Sequence, residues 1–313
     1  MEYMVYRLRF FTGVHFGNGS LGTSGISVPA DTLFSALCLE AAALYGPEGP
    51  GMLADAVREG KLRLSDLQPY LGDELYLPKP LRPVKKETDG NSIIKKSFKK
   101  LHWIPASQFH VYMDGDLNPL CEVKKLGKLG IFEIRTMAAS RSADKLQSGD
   151  ALPYSVGVYR FASGGGLYLL AGFSGTNIRL ELENLLDSLS YTGLGGKRSA
   201  GLGRFSVASE PLSGPLSQRL KGSGVPAMTL SLAMADNREL EHGALDGAQY
   251  LLQKRSGFVA SAQYAPEPRR KRDFYAFCAG SCFQTRFSGG VFDVSSGGSH
   301  PVYRYAAPLW MEI

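Results

Sequence analysis

The stretch Tyr191–Phe205, YTGLGGKRSAGLGRF, holds the residue types best suited to chemistry in this 313-residue chain. Five of the eleven residues from Gly193 to Gly203 are glycine (Gly193, Gly195, Gly196, Gly201 and Gly203), and Lys197, Arg198 and Ser199 sit among them. Glycine lacks a Cβ, so its backbone takes positive φ and its amides approach a ligand closely. Successive N–H groups in such a turn form an anion-binding concavity, to which two cations add charge. That chemistry suits phosphate; the alternative is a glycine-rich hairpin or helix stop.

The flanks decide which phosphate. Upstream, Asn177 is placed to cap a helix whose Leu182, Leu185, Leu186 and Leu189 follow i, i+3, i+4, i+7 spacing. Downstream, Phe205 and Val207 alternate with Arg204 and Ser206, as in a strand. This helix–loop–strand order reverses the strand–loop–helix that seats a pyrophosphate on a helix N-terminus. The letters disagree as well. GLGGKR is not G-x-G-x-x-G, and Arg198 stands where a P-loop needs Ser or Thr after Gly196-Lys197. A small-molecule enzyme using the loop for a nucleotide is therefore disfavoured.

The composition is that of a folded soluble protein: 44% hydrophobic, 20% charged and 11% aromatic, with length enough for two domains. No run approaches eighteen apolar residues, and MEYMVYRLRF lacks a signal-peptide layout, so a cytoplasmic protein without membrane contact is expected. Cys38, Cys121, Cys278 and Cys282 form no C-x-x-C pair. His102, His110, His242 and His300 show no metal-ligand spacing, and neither metal nor cofactor is expected. The formal net charge is +6. Lys79 to Lys100 hold eight Lys or Arg residues against Glu87 and Asp89, which accounts for the whole excess. Such a run is either a solvated face or a basic arm that neutralises nucleic-acid phosphates.

The elements that position these groups follow from periodicity. Tyr3, Val5, Leu8 and Phe10 read as a first strand, followed by a glycine-rich connection, 13–25, containing His15. SVPADTLFSALCLEAAALYGPEGPG reads as a helix with Pro29 near its start and Gly46-Pro47 at its end. A second short helix is expected around Leu53 to Val57. The basic arm interrupts at about 78–102. Gly130 to Met137 and Leu152 to Phe161 read as strands, and Leu167 to Phe173 as an apolar strand paired with Ser155 to Phe161. The order strand–helix–strands–helix–strand is the β-α-β-β-α-β ferredoxin-like arrangement with long insertions, an α+β fold.

The Ser-, Gly- and Pro-rich segment 209–226 marks a boundary. Beyond it, Met228, Leu230, Leu232 and Met234 alternate as a fresh first strand, and a short helix is expected near Arg238 to Leu245. Tyr250 to Ala260, Phe274 to Phe283 and Val302 to Ile313 read as strands. The expectation is two ferredoxin-like (RRM-like) domains. The first is 1–210, with a basic insertion near 78–130 and the glycine-rich loop 193–203; the second, 226–313, is shorter.

With these residues the chain resembles the RAMP superfamily of CRISPR effector proteins. Within it, the likeness is to the subunit of type III-A (Csm) complexes that caps the 5′ end of the guide RNA. The glycine-rich loop matches the superfamily. Arg255-Ser256-Gly257-Phe258-Val259, the basic run Arg269 to Arg272 leading to Gly280-Ser281-Cys282-Phe283, Asp293-Val294, and His300-Pro301-Val302-Tyr303-Arg304-Tyr305 resemble this subunit more narrowly. Asp31-Thr32-Leu33-Phe34-Ser35-Ala36-Leu37 fits it too.

The resemblance implies a protein that binds the repeat-derived 5′ tag of the crRNA. It implies contacts with the large polymerase-like subunit and with the repeating backbone RAMP subunit, and no catalysis by this chain. It also implies a thumb-like basic arm (Lys85, Lys86, Lys95, Lys96, Lys99 and Lys100) near the guide–target RNA duplex, where related subunits carry a β-hairpin. Candidate RNA-binding residues are Gly193, Gly195, Gly196, Lys197, Arg198, Ser199, Gly201 and Gly203, with His15, Arg135, Arg141, Arg255, Arg270 and Lys271. His15 carries the alternative, since repeat-processing ribonucleases of this superfamily use a histidine next to the 2′-hydroxyl. A metal-independent endoribonuclease using His15 is therefore the competing reading.

Overall fold

The computed structural model describes residues 1–17, 19–83, 92–138, 153–261 and 263–313. Strand β1 (Glu2–Phe10) leads to helices α1 (Ala30–Tyr45) and α2 (Gly49–Arg58), then to β2 (Leu62–Leu64), β3 (Gln68–Leu71) and β4 (Glu74–Pro78). Next come α3 (Ser92–Lys100), β5 (Trp103–Pro105), α4 (Phe109–Asp114) and α5 (Pro119–Leu126). Strands β6 (Gly130–Ala138), β7 (Pro153–Phe161) and β8 (Gly165–Phe173) precede α6 (Thr176–Thr192), β9 (Phe205–Pro211) and α7 (Gly214–Lys221). The remainder holds β10 (Ala227–Thr229), α8 (Asn237–Glu241), β11 (Leu252–Arg255) and β12 (Phe274–Phe277). It ends with β13 (Cys282–Phe283), β14 (Gly290–Asp293), β15 (Tyr303–Ala306) and β16 (Trp310–Glu312).

The main sheet runs β5-β4-β3-β8-β1-β9, with β2 also on β8, and its neighbours are antiparallel. One face is covered by α1 and α6, through Leu33, Phe34 and Leu37 and through Leu182, Leu185, Leu186 and Leu189. The other face meets Phe109 and Tyr112 of α4, Leu216 and Leu220 of α7, and Met228, Leu230, Leu309 and Met311 from the C-terminal part. Burial on both faces explains why every residue of β8 is buried and why GGLYLLAGF is a continuous apolar run without alternation.

The helix boundaries have local causes. Pro29 offers no capping side chain, so the carboxylate of Asp66 accepts the Ala30 amide at 2.8 Å and satisfies one orphan donor of α1. Gly46, at φ 78°, ends α1 before Pro47. At the N-terminus of α6 the cap position is Gly175 at φ 113°, which places Asn177 inside the first turn instead of at the cap.

Other expectations are corrected by packing. Strand β7 pairs with β6 and not with β8, because both edges of β8 are taken by β1 and by β2 and β3. The β6–β7 pair forms a ribbon outside the main sheet, with Ile131, Phe132 and Ile134 exposed. Among the described residues of the basic arm, 92–100 is helical, with Lys95, Lys96, Lys99 and Lys100 exposed, and β6–β7 forms a separate two-stranded ribbon. Lys85 and Lys86 lie outside the described residues. The boundary segment 209–226 contains helix α7, whose Leu216 and Leu220, one turn apart, are buried.

The C-terminal strands are shorter than their periodicity suggests. A turn at 278–281 separates β12 from β13, and residues 307–309 separate β15 from β16. The sheet here runs β13-β10-β16, beside the hairpins β11-β12 and β14-β15.

Candidate nucleic-acid interface

The glycine-rich loop leaves α6 at Gly193 (φ 86°), whose amide still donates to Leu189 at 2.8 Å. Its two leucines, Leu194 and Leu202, are buried and anchor both ends. The Leu194 amide donates to the Gly203 carbonyl at 2.9 Å, and Gly203 donates to Gly13 at 3.0 Å. Gly196 donates to the His15 carbonyl at 2.8 Å, so the loop is laced to the segment following β1. A Cβ on Gly196 would lie 2.7 Å from Cδ2 of the His15 ring, which is why no side chain fits there.

The loop crest is shaped by Lys197, at φ 60° the one non-glycine residue with positive φ among the described residues. Left-handed backbone is costly for a residue with a Cβ, and such strain tends to gather at functional sites. One turn of 3₁₀ helix, Arg198–Ala200, follows and closes at Gly201 (φ 82°). In this geometry the Ala200 and Gly201 amides bond back to Lys197 and Arg198. The amides of Lys197, Arg198 and Ser199 have no acceptor among the described residues. Three successive bare donors thus stand beside the two cations Lys197 and Arg198. Lys197 Nζ rests on Tyr154 of β7, 3.1 Å from its hydroxyl and 4.4 Å from the ring centre.

Opposite the loop lies a cleft of about 320 Å³ that also takes in the start of α1 and the C-terminal Arg255, Lys271 and Arg304. Its charge is centred on Asp31, whose side chain is fully buried. Asp31 Oδ2 receives Nε of Arg255 at 3.0 Å and also Nη1 of Arg304. Arg255 further donates to Thr32 Oγ1 at 2.6 Å, and Lys271 Nζ to Ser35 Oγ at 3.2 Å. One carboxylate thus faces three cations, and Arg198 adds a fourth across the cleft. The Nε of Arg304 is buried without a partner among the described residues. Burial, then the charge of Arg304, hold the Lys271 ammonium below the usual lysine range. An excess of desolvated positive charge is a site for an anion.

His15 is 7% exposed and its Nδ1 lies 2.7 Å from the Gly157 carbonyl. A carbonyl only accepts, so Nδ1 carries the proton and a neutral ring keeps Nε2 as the acceptor. His15 thereby ties β7 to the loop beneath Gly196. Arg135 lies on the β6–β7 ribbon, bonded to Glu133 at 2.6 Å, with Arg160 on the same carboxylate at 3.1 Å, and lines neither the loop nor the cleft. Arg270 is exposed, 5.8 Å above the Phe258 ring. Arg141 lies outside the described residues. Of the candidates, the structure brings together the loop residues, His15, Arg255 and Lys271.

Asp31 and Arg304 were not among the sequence-derived site residues, although both lie in stretches that carried the family resemblance. Among the described residues no group of His, Cys, Asp and Glu is placed to hold a metal ion, and no helix is long and apolar enough to cross a membrane.

This mixed α+β architecture of antiparallel sheets matches solved structures. One is the crystal structure of a Csm3-Csm4 subcomplex in the type III-A CRISPR-Cas interference complex (TM-score 0.64, 18% identity, all of this chain and 99% of that one). Another is a Csm1-Csm4 cassette in complex with pppApA (TM-score 0.61, 17% identity, 100% and 98% covered). The family model for the CRISPR Csm4 C-terminal domain matches residues 223–313. The CRISPR system Cms protein Csm4 of Mycobacterium tuberculosis is 43% identical over 97% of this chain and 95% of its own length. That of Streptococcus thermophilus is 33% identical over 100% and 99%. The chain belongs to the Csm4 family and is a type III-A CRISPR (Csm) subunit.

Proposed function

We propose that this subunit holds the 5′ tag of the crRNA and bridges the large polymerase-like subunit to the repeating backbone subunits, in a cytoplasmic ribonucleoprotein of antiviral defence. The observation that carries the reading is the glycine loop with bare amides at Lys197, Arg198 and Ser199, whose Arg198 lines one cleft together with Arg255, Lys271 and Arg304. RNA phosphates suit it, because bare amides and guanidinium groups are strong donors to anionic oxygen. The relatives solved with Csm3 and with Csm1 support the bridging role.

The order β9-β1-β8-β3, with α1 and α6 on one face, supports a ferredoxin-like first domain over 1–210. The order β13-β10-β16 supports a shorter second copy over 226–313, in which the β14-β15 hairpin stands where a second helix is expected. The exposed lysines of α3 and the β6–β7 ribbon remain surfaces for the guide–target duplex. No catalytic step is assigned to this chain. His15 is held by its neighbours at Nδ1 and packed under Gly196, which suits a positioning role in the loop.

The test is to tag the chain in its host and sequence what co-purifies. Short RNAs with a common 5′ end, together with a polymerase-like and a backbone subunit, are expected. Recovery of the partners with no discrete RNA contradicts the reading.

A further inference from the structure

A second cleft of about 510 Å³ adjoins the first and shares Phe16, Gly17, Thr32 and Arg255 with it. Its wall carries a buried carboxylate that the phosphate chemistry does not use. Asp66 lies between β2 and β3, 8% exposed. Its Oδ1 accepts two backbone amides, Ala30 at the start of α1 and Leu232 beyond β10, each at 2.8 Å. These two bonds to one oxygen fix the carboxylate and leave Oδ2 without a bond among the described residues. The same cleft is lined by Gln68 and Trp103, and Trp103 Nε1 donates to Gln68 Oε1 at 2.7 Å.

The Asp66 carboxylate, when ionised, repels a phosphate, whereas the amino edge of a nucleobase fits it. Bases leaving a single strand are taken up on aromatic surfaces and read at their polar edges. Trp103 supplies the aromatic surface, and Asp66 supplies an edge reader that, when ionised, only accepts. Adenine, cytosine and guanine each carry an exocyclic amino donor; uracil carries carbonyl oxygens in the corresponding places.

We propose that this cleft seats one base of the RNA strand whose phosphates the glycine loop holds. Asp66 Oδ2 accepts from the exocyclic amino group of that base, so adenine, cytosine and guanine are admitted over uracil. The inference rests on the RNA-binding reading above and adds base selectivity to it.

The test compares labelled short oligoadenylate, oligocytidylate and oligouridylate on the full chain by fluorescence anisotropy. It is run at about pH 8, above the value of about 7 to which burial raises the Asp66 carboxyl. The adenylate and cytidylate strands are expected to bind about tenfold more tightly than the uridylate strand. Asp66→Asn is expected to invert the order. The two backbone amides demand an acceptor at the Oδ1 position, so the new NH₂ turns toward the cleft and favours a uracil carbonyl. Adenylate rebuilt with purine riboside, which lacks the 6-amino group, is expected to lose the same factor on the unmodified protein, and this arm needs no variant.

Equal affinity for all three strands and for the purine strand overturns the base-reading proposal and leaves phosphate binding standing. A purely structural Asp66 predicts that Asp66→Asn weakens every strand alike, and that outcome overturns it too. If no strand binds at all, the RNA-binding reading fails and takes this inference with it.

Discussion

Replacing Asp31 with Asn removes the single carboxylate that holds Arg255 and Arg304, and the structure sets the size of the effect. The Asp31 side chain is fully buried, that of Arg304 is 6% exposed and that of Arg255 is 18% exposed. Removing one partner of a buried ion pair leaves uncompensated charge and costs about 3–5 kcal/mol. At about 2 °C per kcal/mol for a chain of this size, Tm should fall by about 6–10 °C. Thermal unfolding followed by circular dichroism measures this, and added salt should restore little of the loss because the pair is desolvated. A second substitution, Arg304→Met, removes one of the stranded charges and should recover part of the stability. RNA affinity should not fall in the Asp31→Asn protein, since the cleft becomes more positive by one charge. A Tm shift below about 2 °C, or a loss that Arg304→Met deepens, would refute this account of the ion cluster.

Two further outcomes are expected. Gly196→Ala places a Cβ 2.7 Å from the His15 ring, and displacing that ring should cost about 1–3 kcal/mol and weaken RNA binding; an unchanged urea midpoint would contradict the packing. Asp66 titrates at about 7 in the folded chain, raised by burial against the bonds from Leu232 and Ala30, from an ordinary value of 3.8. The folded state therefore holds a proton that the unfolded state has lost, and this contribution to stability is full below about pH 4 and gone above about pH 7. Asp66→Asn should flatten the fall in stability over that window, measured as the difference between variant and parent in urea titrations. Parallel pH profiles would contradict it.

Much of the site is legible in the sequence because it is local. The Leu182, Leu185, Leu186 and Leu189 spacing gives α6 its buried face, and the glycine spacing gives the loop that follows it. Local signals also place β1, α1 and its stop at Gly46. What is hidden depends on distant partners. The Asp31–Arg304 contact joins residues 273 apart, and although both lie in stretches that carry the family resemblance, nothing local pairs one with the other. Asp66 sits in the short segment between β2 and β3, and only the arrival of Leu232 makes it a wall of the second cleft. The pairing of β8 is masked because a strand buried on both faces shows no alternation to reveal its partners. Helix α7 is masked by Ser, Gly and Pro, although Leu216 and Leu220 stand one helical turn apart.

The most direct test of the central claim is the salt dependence of RNA binding by the protein carrying both Lys197→Ala and Arg198→Ala. For single strands log Kobs falls by about 0.7 per phosphate neutralised for each tenfold rise in salt, so two lost contacts should flatten the slope by about 1.4 between about 50 and 200 mM NaCl. A slope equal to that of the unmodified chain would mean that the glycine loop does not hold the RNA backbone.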